Sequence, residues 1–337
     1  MSTYANNFWR DLKGSVWALA PMEDVTDTVF REIVLSLSAP ENLHLLFTEF
    51  TSVDGLCHPV GRQAVLHRLF VNDSERKLLK ERNVRLIAQL WGTDPQKFYE
   101  AGKYLSTAFD FDGIDINMGC PVDKVVKQGA CSALIDQPAL AIEIINATAE
   151  STALPVSVKT RTGVKTHQTE KWMAHLLQSR VSAITLHGRT QKMQSLYPAE
   201  WEQIAIAARV RNSLNPQVKL LGNGDVASLE QASRLVENSG ADGAMIGRGI
   251  FANPWLFAKN NAEPGAVDRL LVLKKHIQLF SVTWQSSRNF SIMKRFFKIY
   301  VHGFAGAVGL RASLMLANQP SEAIELVDLF LAEHAAG

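Results

Sequence analysis

Short apolar segments alternate with longer amphipathic ones from residue 15 to residue 247. Gly, Pro, Asn or Asp bounds most of the apolar segments, which is typical of buried β-strands. The pattern predicts strands at Ser15–Pro21, Leu43–Phe50, Arg85–Trp91, Phe111–Cys120, Pro155–Thr162, Ala183–Gly188, Val218–Gly224 and Gly243–Gly247. Most of these strands are followed by a helical pattern, so the sequence predicts an α/β fold built from repeated βα units.

The amphipathic segments predict the helices of these units. Thr26 and Asp27 predict the N-terminal cap of the first helix, which carries Val29, Ile33 and Leu37. The other predicted helices are Pro95–Ala108, Pro138–Glu150, Glu170–Leu177, Ala199–Val210 and Ser228–Asn238. An open doubly wound sheet would usually show an early GxGxxG motif, which is absent here. We therefore expect a closed TIM (β/α)8 barrel.

The pattern changes after Pro254, where helical segments follow one another with no strand between them. Helices are predicted at Val267–Gln285, Ser291–His302 and Ser321–Leu331. We therefore predict two domains, a catalytic barrel at residues 10–262 and an all-helical domain at residues 263–337.

Polar residues and glycines are concentrated at the C-terminal ends of the predicted strands. Active sites of TIM barrels lie at this end of the barrel, so these residues are candidates for a common site. They are Pro21, Met22, Glu49, Gln89, Asn117–Cys120, Lys159–Arg161, His187–Arg189, Asn223–Asp225, Gly247 and Arg248. The glycines of the last two loops favour a phosphate site, for which Arg248 would supply the charge.

The thiol of Cys120 is the candidate for direct chemistry. Gly119 and Pro121 flank it at a strand end, which favours exposure at the mouth of a loop over packing in a core. Cys131 lies in a run of small residues and is interpreted as a packing residue. Cys57 lies beside His58 but away from any strand end. With no CxxC pair among the three cysteines, neither a zinc site nor a disulfide framework is expected.

Composition and charge narrow the function classes. The 337 residues contain no apolar run long enough to span a membrane, and the N-terminus lacks a signal-peptide core, so we expect a cytoplasmic protein. Net charge is only +2, but residues 266–311 carry eight Lys and Arg against one acid, or +7. Lys294, Arg295 and Lys298 fall on one predicted helix face with Ser291 and His302, which favours RNA binding.

Eight short motifs then occur in an order that resembles the tRNA-dihydrouridine synthases. They are APMEDVTD from Ala20, TEF from Thr48, QLWG from Gln89, INMGCP from Ile116, SVKTRTG from Ser157, LHGRT from Leu186, GNGD from Gly222 and MIGRG from Met245. The resemblance implies an FMN enzyme that reduces the C5–C6 double bond of a uridine in tRNA, with NADPH as electron source. It implies tRNA as partner, while the residues themselves lead us to expect no metal and no membrane, and no obligate protein partner is inferred.

The resemblance also implies a role for each site residue. Pro21 and Met22 would lie by the flavin ring, and Gln89 and Lys159 would contact its pyrimidine side. The ribityl-phosphate would be held by His187, Asn223, Gly224, Asp225, Gly247 and Arg248. Asn117 and Arg161 would address the uracil, Cys120 would donate the proton to C5, and Lys294, Arg295 and Lys298 would contact tRNA.

Two other functions stay open at this point. An FMN barrel acting on a free small molecule, of the dihydroorotate dehydrogenase type, would use the same cofactor site without needing the basic helices. A non-catalytic RNA-binding protein would not need Cys120.

Overall fold

The computed structural model describes residues 7–259 and 264–334. Its centre is a closed barrel of eight parallel strands, with one short additional strand. The strands are β1 (Val16–Leu19), β2 (Leu45–Phe47), β3 (Thr51–Ser52), β4 (Arg85–Trp91), β5 (Gly113–Met118), β6 (Val156–Arg161), β7 (Ala183–His187), β8 (Lys219–Asn223) and β9 (Gly243–Ile246). Pairing of β2 with β4 completes the ring, and β3 is the additional strand. The expected TIM barrel is confirmed.

Each of the eight predicted strands is present: Arg85–Trp91 has the predicted bounds, and the other strands are shorter than predicted. The largest difference is the predicted Leu43–Phe50 strand, which divides into β2 and β3. Gln89 donates its backbone N–H to Oγ1 of Thr48, 3.0 Å away. Because the Thr48 side chain replaces a backbone acceptor there, the backbone hydrogen bonds that pair this segment with β4 are interrupted between β2 and β3.

Side chains of the strands alternate between the barrel interior and the surrounding helices. Along β1, Val16 and Ala18 belong to the interior cluster, whereas Trp17 and Leu19 pack in the larger core under the helices. Phe8 and Trp9, in a short 3-10 helix, pack into the same interior cluster.

Helices surround the barrel and continue beyond it. They are α1 (Thr28–Leu37), α2 (Val53–Cys57), α3 (Gly61–Val65), α4 (Asp73–Arg82), α5 (Pro95–Ala108), α6 (Asp123–Val126), α7 (Pro138–Ser151), α8 (Thr169–Leu176), α9 (Trp201–Leu214), α10 (Leu229–Ser239) and α11 (Gly249–Ala252). The C-terminal helices are α12 (Ala266–Trp284), α13 (Lys294–Tyr300), α14 (Ala307–Leu316) and α15 (Pro320–His334). The predicted domain boundary between residues 262 and 263 lies outside the described residues.

The predicted helix Ser291–His302 is shorter than expected. Ser291 lies in a 3-10 helix, Phe290–Met293, and α13 ends at Tyr300, before His302. Only Lys294, Arg295 and Lys298 of the predicted basic face therefore lie on the α-helix. The α-helices α2, α3, α4, α6, α11 and α14 were not predicted, because they are short or their apolar spacing is weak and their positions depend on tertiary packing.

The C-terminal helices are fastened to the loop between β1 and α1. Trp284 and Arg288 both donate to Oδ2 of Asp27, at 3.0 and 3.1 Å. Arg295 of α13 donates to the carbonyl oxygen of Asp24 at 2.7 Å. The loop whose first residues are Pro21 and Met22 is therefore held from the helical side. Among the described helices, none combines the length and apolar character needed to cross a membrane.

Candidate active site

A cavity of about 690 Å³ opens at the C-terminal ends of the barrel strands. Its lining contains all thirteen barrel residues to which a role was assigned, from seven of the barrel strands or the loops after them, whereas the candidates Glu49, Met118, Thr160 and Gly188 are not part of the lining. The thirteen residues are Pro21, Met22, Gln89, Asn117, Cys120, Lys159, Arg161, His187, Asn223, Gly224, Asp225, Gly247 and Arg248. The structure therefore brings these thirteen residues together around one space. The residues predicted to contact tRNA, Lys294, Arg295 and Lys298, are not part of this lining.

A row of buried polar residues crosses three neighbouring strands beneath this cavity. Gln89 on β4, Asp115 on β5 and Ser157 on β6 are in register. The Asp115 carboxylate accepts hydrogen bonds from Gln89 Nε2 at 2.7 Å and from Ser157 Oγ at 2.6 Å. Burial raises the pKa of Asp115 to about 6, although both hydrogen bonds act in the opposite direction. Asp115 thereby fixes the orientation of the Gln89 amide.

Asn117 connects this row to the loop that carries the thiol. Its Nδ2 donates to Gln89 Oε1 at 3.2 Å, and its Oδ1 accepts from the backbone N–H groups of Gly119 and Cys120 at 3.1 and 3.0 Å. With β5 ending at Met118, the side chain of Asn117 supplies the acceptor that the ladder no longer provides. The position of the Cys120 backbone is therefore set by the polar row.

The side chain of Cys120 faces the cavity and also contacts Cys131, which is fully buried. Hydrogen bonding with the Cys131 thiol, opposed by burial, lowers the pKa of Cys120 to about 7, while the same interaction together with burial raises the pKa of Cys131. Cys131 is thus more than the packing residue expected from the sequence. Cys57 lies in α2 and donates to the Lys97 carbonyl at 3.5 Å, apart from the cavity lining.

Two cations stand above the polar row on β6. Lys159 pairs in register with Asn117, and burial together with the neighbouring Arg161 lowers its pKa to about 8. Arg161 donates to the carbonyl oxygen of Gly119 at 2.7 Å and to those of Thr190 and Gln194 at 3.0 Å each. Because most of its donors bind backbone, Arg161 also holds together the loops after β5 and β7.

A second group of residues forms the other end of the cavity, at β7 to β9. Arg189 donates to His187 Nε2 at 3.0 Å and to the Asp225 carboxylate, and Arg248 lies 3.5 Å from that carboxylate. Burial, the largest single effect, would raise the pKa of Asp225, but the hydrogen bonds from Arg189 and from the Ala199 backbone, together with the charges of Arg189 and Arg248, outweigh it and lower that pKa. Burial also keeps the pKa of His187 well below its usual value, so the ring is neutral and its Nε2 accepts from Arg189.

Gly224 at this end has no room for a side chain. Its φ is +122°, and an added Cβ would lie 2.5 Å from Cβ of Ala199 and 2.9 Å from Cδ2 of His187. Backbone and arginine side chains therefore form the wall of the cavity here, which is the type of surface that binds phosphate.

A second cavity lies between the barrel and the helical region, and Arg248 lines both cavities. Phe251, Phe296 and Ile299 contribute apolar surface to it, while the exposed side chains of Arg295 and Lys298 contribute charge. Lys294 instead donates to the carbonyl oxygen of Met315 at 2.7 Å. The three cations predicted to contact tRNA are thus in different surroundings. Arg295 and Lys298 line the same cavity as Arg248 of the barrel, and Lys294 does not.

The sequence profile of the dihydrouridine synthase (Dus) family matches residues 18–335, nearly the whole chain. The chain belongs to the dihydrouridine synthase family. A probable tRNA-dihydrouridine synthase of Staphylococcus aureus (strain COL) is 40% identical over 329 residues, covering 97% of this chain and 96% of the relative. Probable tRNA-dihydrouridine synthase 2 of Bacillus subtilis (strain 168) is 38% identical over 333 residues, covering 98% of each. The resemblance seen in the sequence motifs is confirmed.

One solved structure is similar to this chain in its fold. A 2-naphthoyl-CoA reductase in complex with 2-naphthoyl-CoA superposes with a TM-score of 0.53 over 72% of this chain and 49% of the other. At 10% sequence identity this likeness concerns the fold alone.

Two residues of the cavity region, Asp115 and Cys131, were not predicted as functional, and Arg189 was a strand-end candidate to which no role was assigned. Asp115 could have been found from its place two residues before Asn117 in a strand, which puts both side chains on one face. Arg189 adjoins His187 in the LHGRT motif, but its bonds to His187 and Asp225 depend on how β7 and β8 pair. Nothing in the sequence places Cys131 against Cys120, because the intervening loop determines that contact.

Proposed function

We propose that the protein uses FMN to reduce the C5–C6 double bond of a uridine in tRNA, with Cys120 as proton donor and NADPH as the source of electrons. The family supports reduction of a tRNA uridine. One observation carries the finer proposal: a thiol, a partly buried lysine and a wall of arginine and glycine line the same cavity. Those are the groups that proton donation, charge stabilisation and phosphate binding require.

The residues around the cavity fit FMN. Gly224, Gly247 and Arg248 would hold the phosphate, with His187, Asn223 and Asp225 along the ribityl chain. Pro21 and Met22 would lie against the ring, and Gln89, oriented by Asp115, would bind its pyrimidine edge. When bound, FMN reduced by NADPH supplies the hydride that reaches C6 of the uracil.

Lys159 and Cys120 have complementary electrostatic roles in this proposal. The ammonium group of Lys159 would stabilise negative charge on the pyrimidine side of the cofactor, as a preorganised donor does for a developing anion. Cys120 would donate its proton to C5 of the uracil. With a pKa of about 7, the Cys120 thiol is about half protonated at neutral pH, which suits a general acid.

The uridine has to leave the tRNA structure to reach this cavity. Extruding a base costs a few kcal/mol, which contacts elsewhere must offset. Asn117 and Arg161 would bind the uracil, while Arg295 and Lys298 would hold phosphates beside the second cavity. Lys294 would add positive charge nearby. Binding of this kind weakens as salt concentration rises. A tRNA substrate also suits the cytoplasmic location expected from the sequence.

A spectroscopic experiment tests FMN as cofactor, NADPH as electron source and tRNA as substrate together. The purified protein should show a flavin spectrum that NADPH bleaches, and unmodified tRNA should restore the oxidised spectrum faster than buffer alone. Free uridine and free orotate serve as controls for a small-molecule reductase. Reoxidation by a free pyrimidine at the same rate would favour that alternative, and a colourless protein that binds no added FMN would remove the redox proposal.

A further inference from the structure

Cys120 and Cys131 form a pair of adjacent thiols. Cys120 packs against the small apolar cluster that Cys131 forms with Val125 and Ala130. The backbone fixes the same proximity: Ser132 donates its N–H and its Oγ to the carbonyl oxygen of Cys120, at 3.3 and 2.8 Å. These bonds hold the backbone next to Cys131 against the backbone of Cys120, and a disulfide requires two cysteines held close together in this way.

The backbone of Cys131 is unusual for a packing residue. Its φ of +55° lies in the left-handed region that favours glycine, yet a buried thiol stands there. Glycine would relieve the strain but would remove the contact with Cys120. A strained conformation that aims a reactive group at the candidate proton donor points to a function.

We propose that Cys120 and Cys131 are a redox modification site, at which hydrogen peroxide closes a reversible disulfide. Cys120 reacts first because it lines the open cavity, whereas Cys131 is fully buried. Cys120 then serves as the sensing thiol and Cys131 as the resolving thiol.

The two steps balance with one molecule of peroxide. The Cys120 thiolate attacks one peroxide oxygen, the O–O bond breaks, and hydroxide leaves to give a sulfenic acid. Cys131 attacks that sulfur, the S–O bond breaks, and the S–S bond forms as Cys131 loses its proton. Two thiols are oxidised, peroxide is reduced to two molecules of water, and a dithiol such as dithiothreitol reverses the result by exchange.

The electrostatics favour this order of events. The hydrogen bond from Cys131 lowers the pKa of Cys120 to about 7, so a large share is thiolate at neutral pH. The third cysteine offers a contrast: burial raises the pKa of Cys57 to about 11, which keeps it a thiol. Cys57 therefore provides an internal control for general oxidation.

The functional consequence rests on the proposed function. A disulfide at Cys120 removes the thiol proton, so uridine reduction would stop until the bond is reduced. The disulfide itself does not depend on that role, because it is measured by mass and by the count of thiols. Failure of either claim is therefore distinguishable from failure of the other.

The test treats the full-length protein with a small excess of hydrogen peroxide, stops it with catalase, and alkylates the denatured chain with iodoacetamide. The reduced wild type should take up a label at each of its three cysteines, and the oxidised wild type at Cys57 alone. Peptide mapping should find Cys120 joined to Cys131. Activity should fall at least about 100-fold and return with dithiothreitol, as expected for blocking a general acid.

Matched variants decide whether Cys131 is the resolving thiol. In Cys131→Ser, and in Cys131→Gly as a second variant compatible with the backbone, Cys120 should pass to sulfinic and sulfonic acids that dithiothreitol does not reverse. In Cys57→Ser the link should form as in the wild type. The proposal is overturned if wild-type Cys120 gains oxygen without forming a link, or if the Cys131 variants recover as fully as the wild type does.

Discussion

The cavity at the barrel mouth and the one beside α13 differ in how their side chains are held. In the first, Asn117, Gln89 and Arg161 are buried and bound to fixed partners. In the second, the exposed side chains of Arg295 and Lys298 stand beside apolar surface. A reaction needs its groups within a few tenths of an ångström, whereas a phosphate backbone needs only positive charge within reach. The first region therefore suits a chemical reaction, and the second suits binding of a phosphate backbone.

The largest expected effect is on turnover, from a change in the cavity at the barrel mouth. Cys120→Ala should lower turnover on tRNA at least about 100-fold, the lower range for losing a general acid, while flavin absorbance is retained. Steady-state NADPH oxidation with unmodified tRNA measures it, and Cys57→Ala should match the wild type. Turnover near the wild-type value in Cys120→Ala would contradict the role of Cys120.

A smaller effect is expected for the polar row beneath the cavity. Asp115→Asn keeps the shape but removes the charge and replaces one acceptor oxygen with a donor, so two hydrogen bonds to a carboxylate become weaker neutral ones and the one with Ser157 has to reverse its direction. The free energy of unfolding should fall by about 1–3 kcal/mol, and FMN should bind more weakly.

Urea unfolding and flavin titration measure these two effects. Ser106→Ala, at an exposed site on α5, is the control. Unchanged stability and flavin affinity in Asp115→Asn would show that the row has no positioning role.

At the cavity beside α13, reversing the charge should weaken tRNA binding and leave FMN binding unchanged. Changing Lys294, Arg295 and Lys298 to Glu should weaken tRNA binding by at least about tenfold and flatten its salt dependence. Because Arg295 also bonds to Asp24, the single variant Lys298→Glu isolates the charge itself.

Lys77→Glu, on the exposed surface of α4, is the charge-matched control. Binding is measured by filter retention at several salt concentrations. If affinity in Lys298→Glu and Lys77→Glu is equal, the α13 face is ordinary solvated surface.

The smallest expected effect is on the pH dependence of kcat/KM, and it concerns Cys120 and its neighbour Cys131. A proton donor works only when protonated, so kcat/KM should fall as pH rises through about 7, the pKa of Cys120. Removing the Cys131 thiol withdraws the hydrogen bond that stabilises the thiolate. In Cys131→Ala the falling limb should therefore move to higher pH. A limb at the same pH in both proteins would show that Cys131 does not tune Cys120.

Sequence patterns predicted the barrel well because its strands are short, apolar and separated by clear turn residues. They also located the cavity, since the ends of parallel strands meet by geometry once the fold is assigned. They missed α4 because Asp73–Arg82 is strongly polar and only Leu79 and Glu75 are buried in it. They missed the contact of Cys131 with Cys120 because a loop conformation, with φ at +55°, creates it.

The predicted basic helix shows a different limit of prediction from sequence. Helical spacing put Ser291 and His302 on the same face as Lys298, but the α-helix spans only Lys294–Tyr300. Packing of Phe296 and Phe297 into the core decides where the helix lies, and periodicity alone does not contain that information. The charges were found correctly, but their arrangement was not.

Nucleoside mass spectrometry of tRNA after incubation with NADPH tests the central claim most directly. Unmodified tRNA should yield a uridine heavier by two hydrogen atoms with the wild type, and almost none with Cys120→Ala containing the same amount of flavin. Equal dihydrouridine from both proteins would contradict the assignment of the proton donor. No product from a wild type that carries flavin and oxidises NADPH would contradict the tRNA substrate.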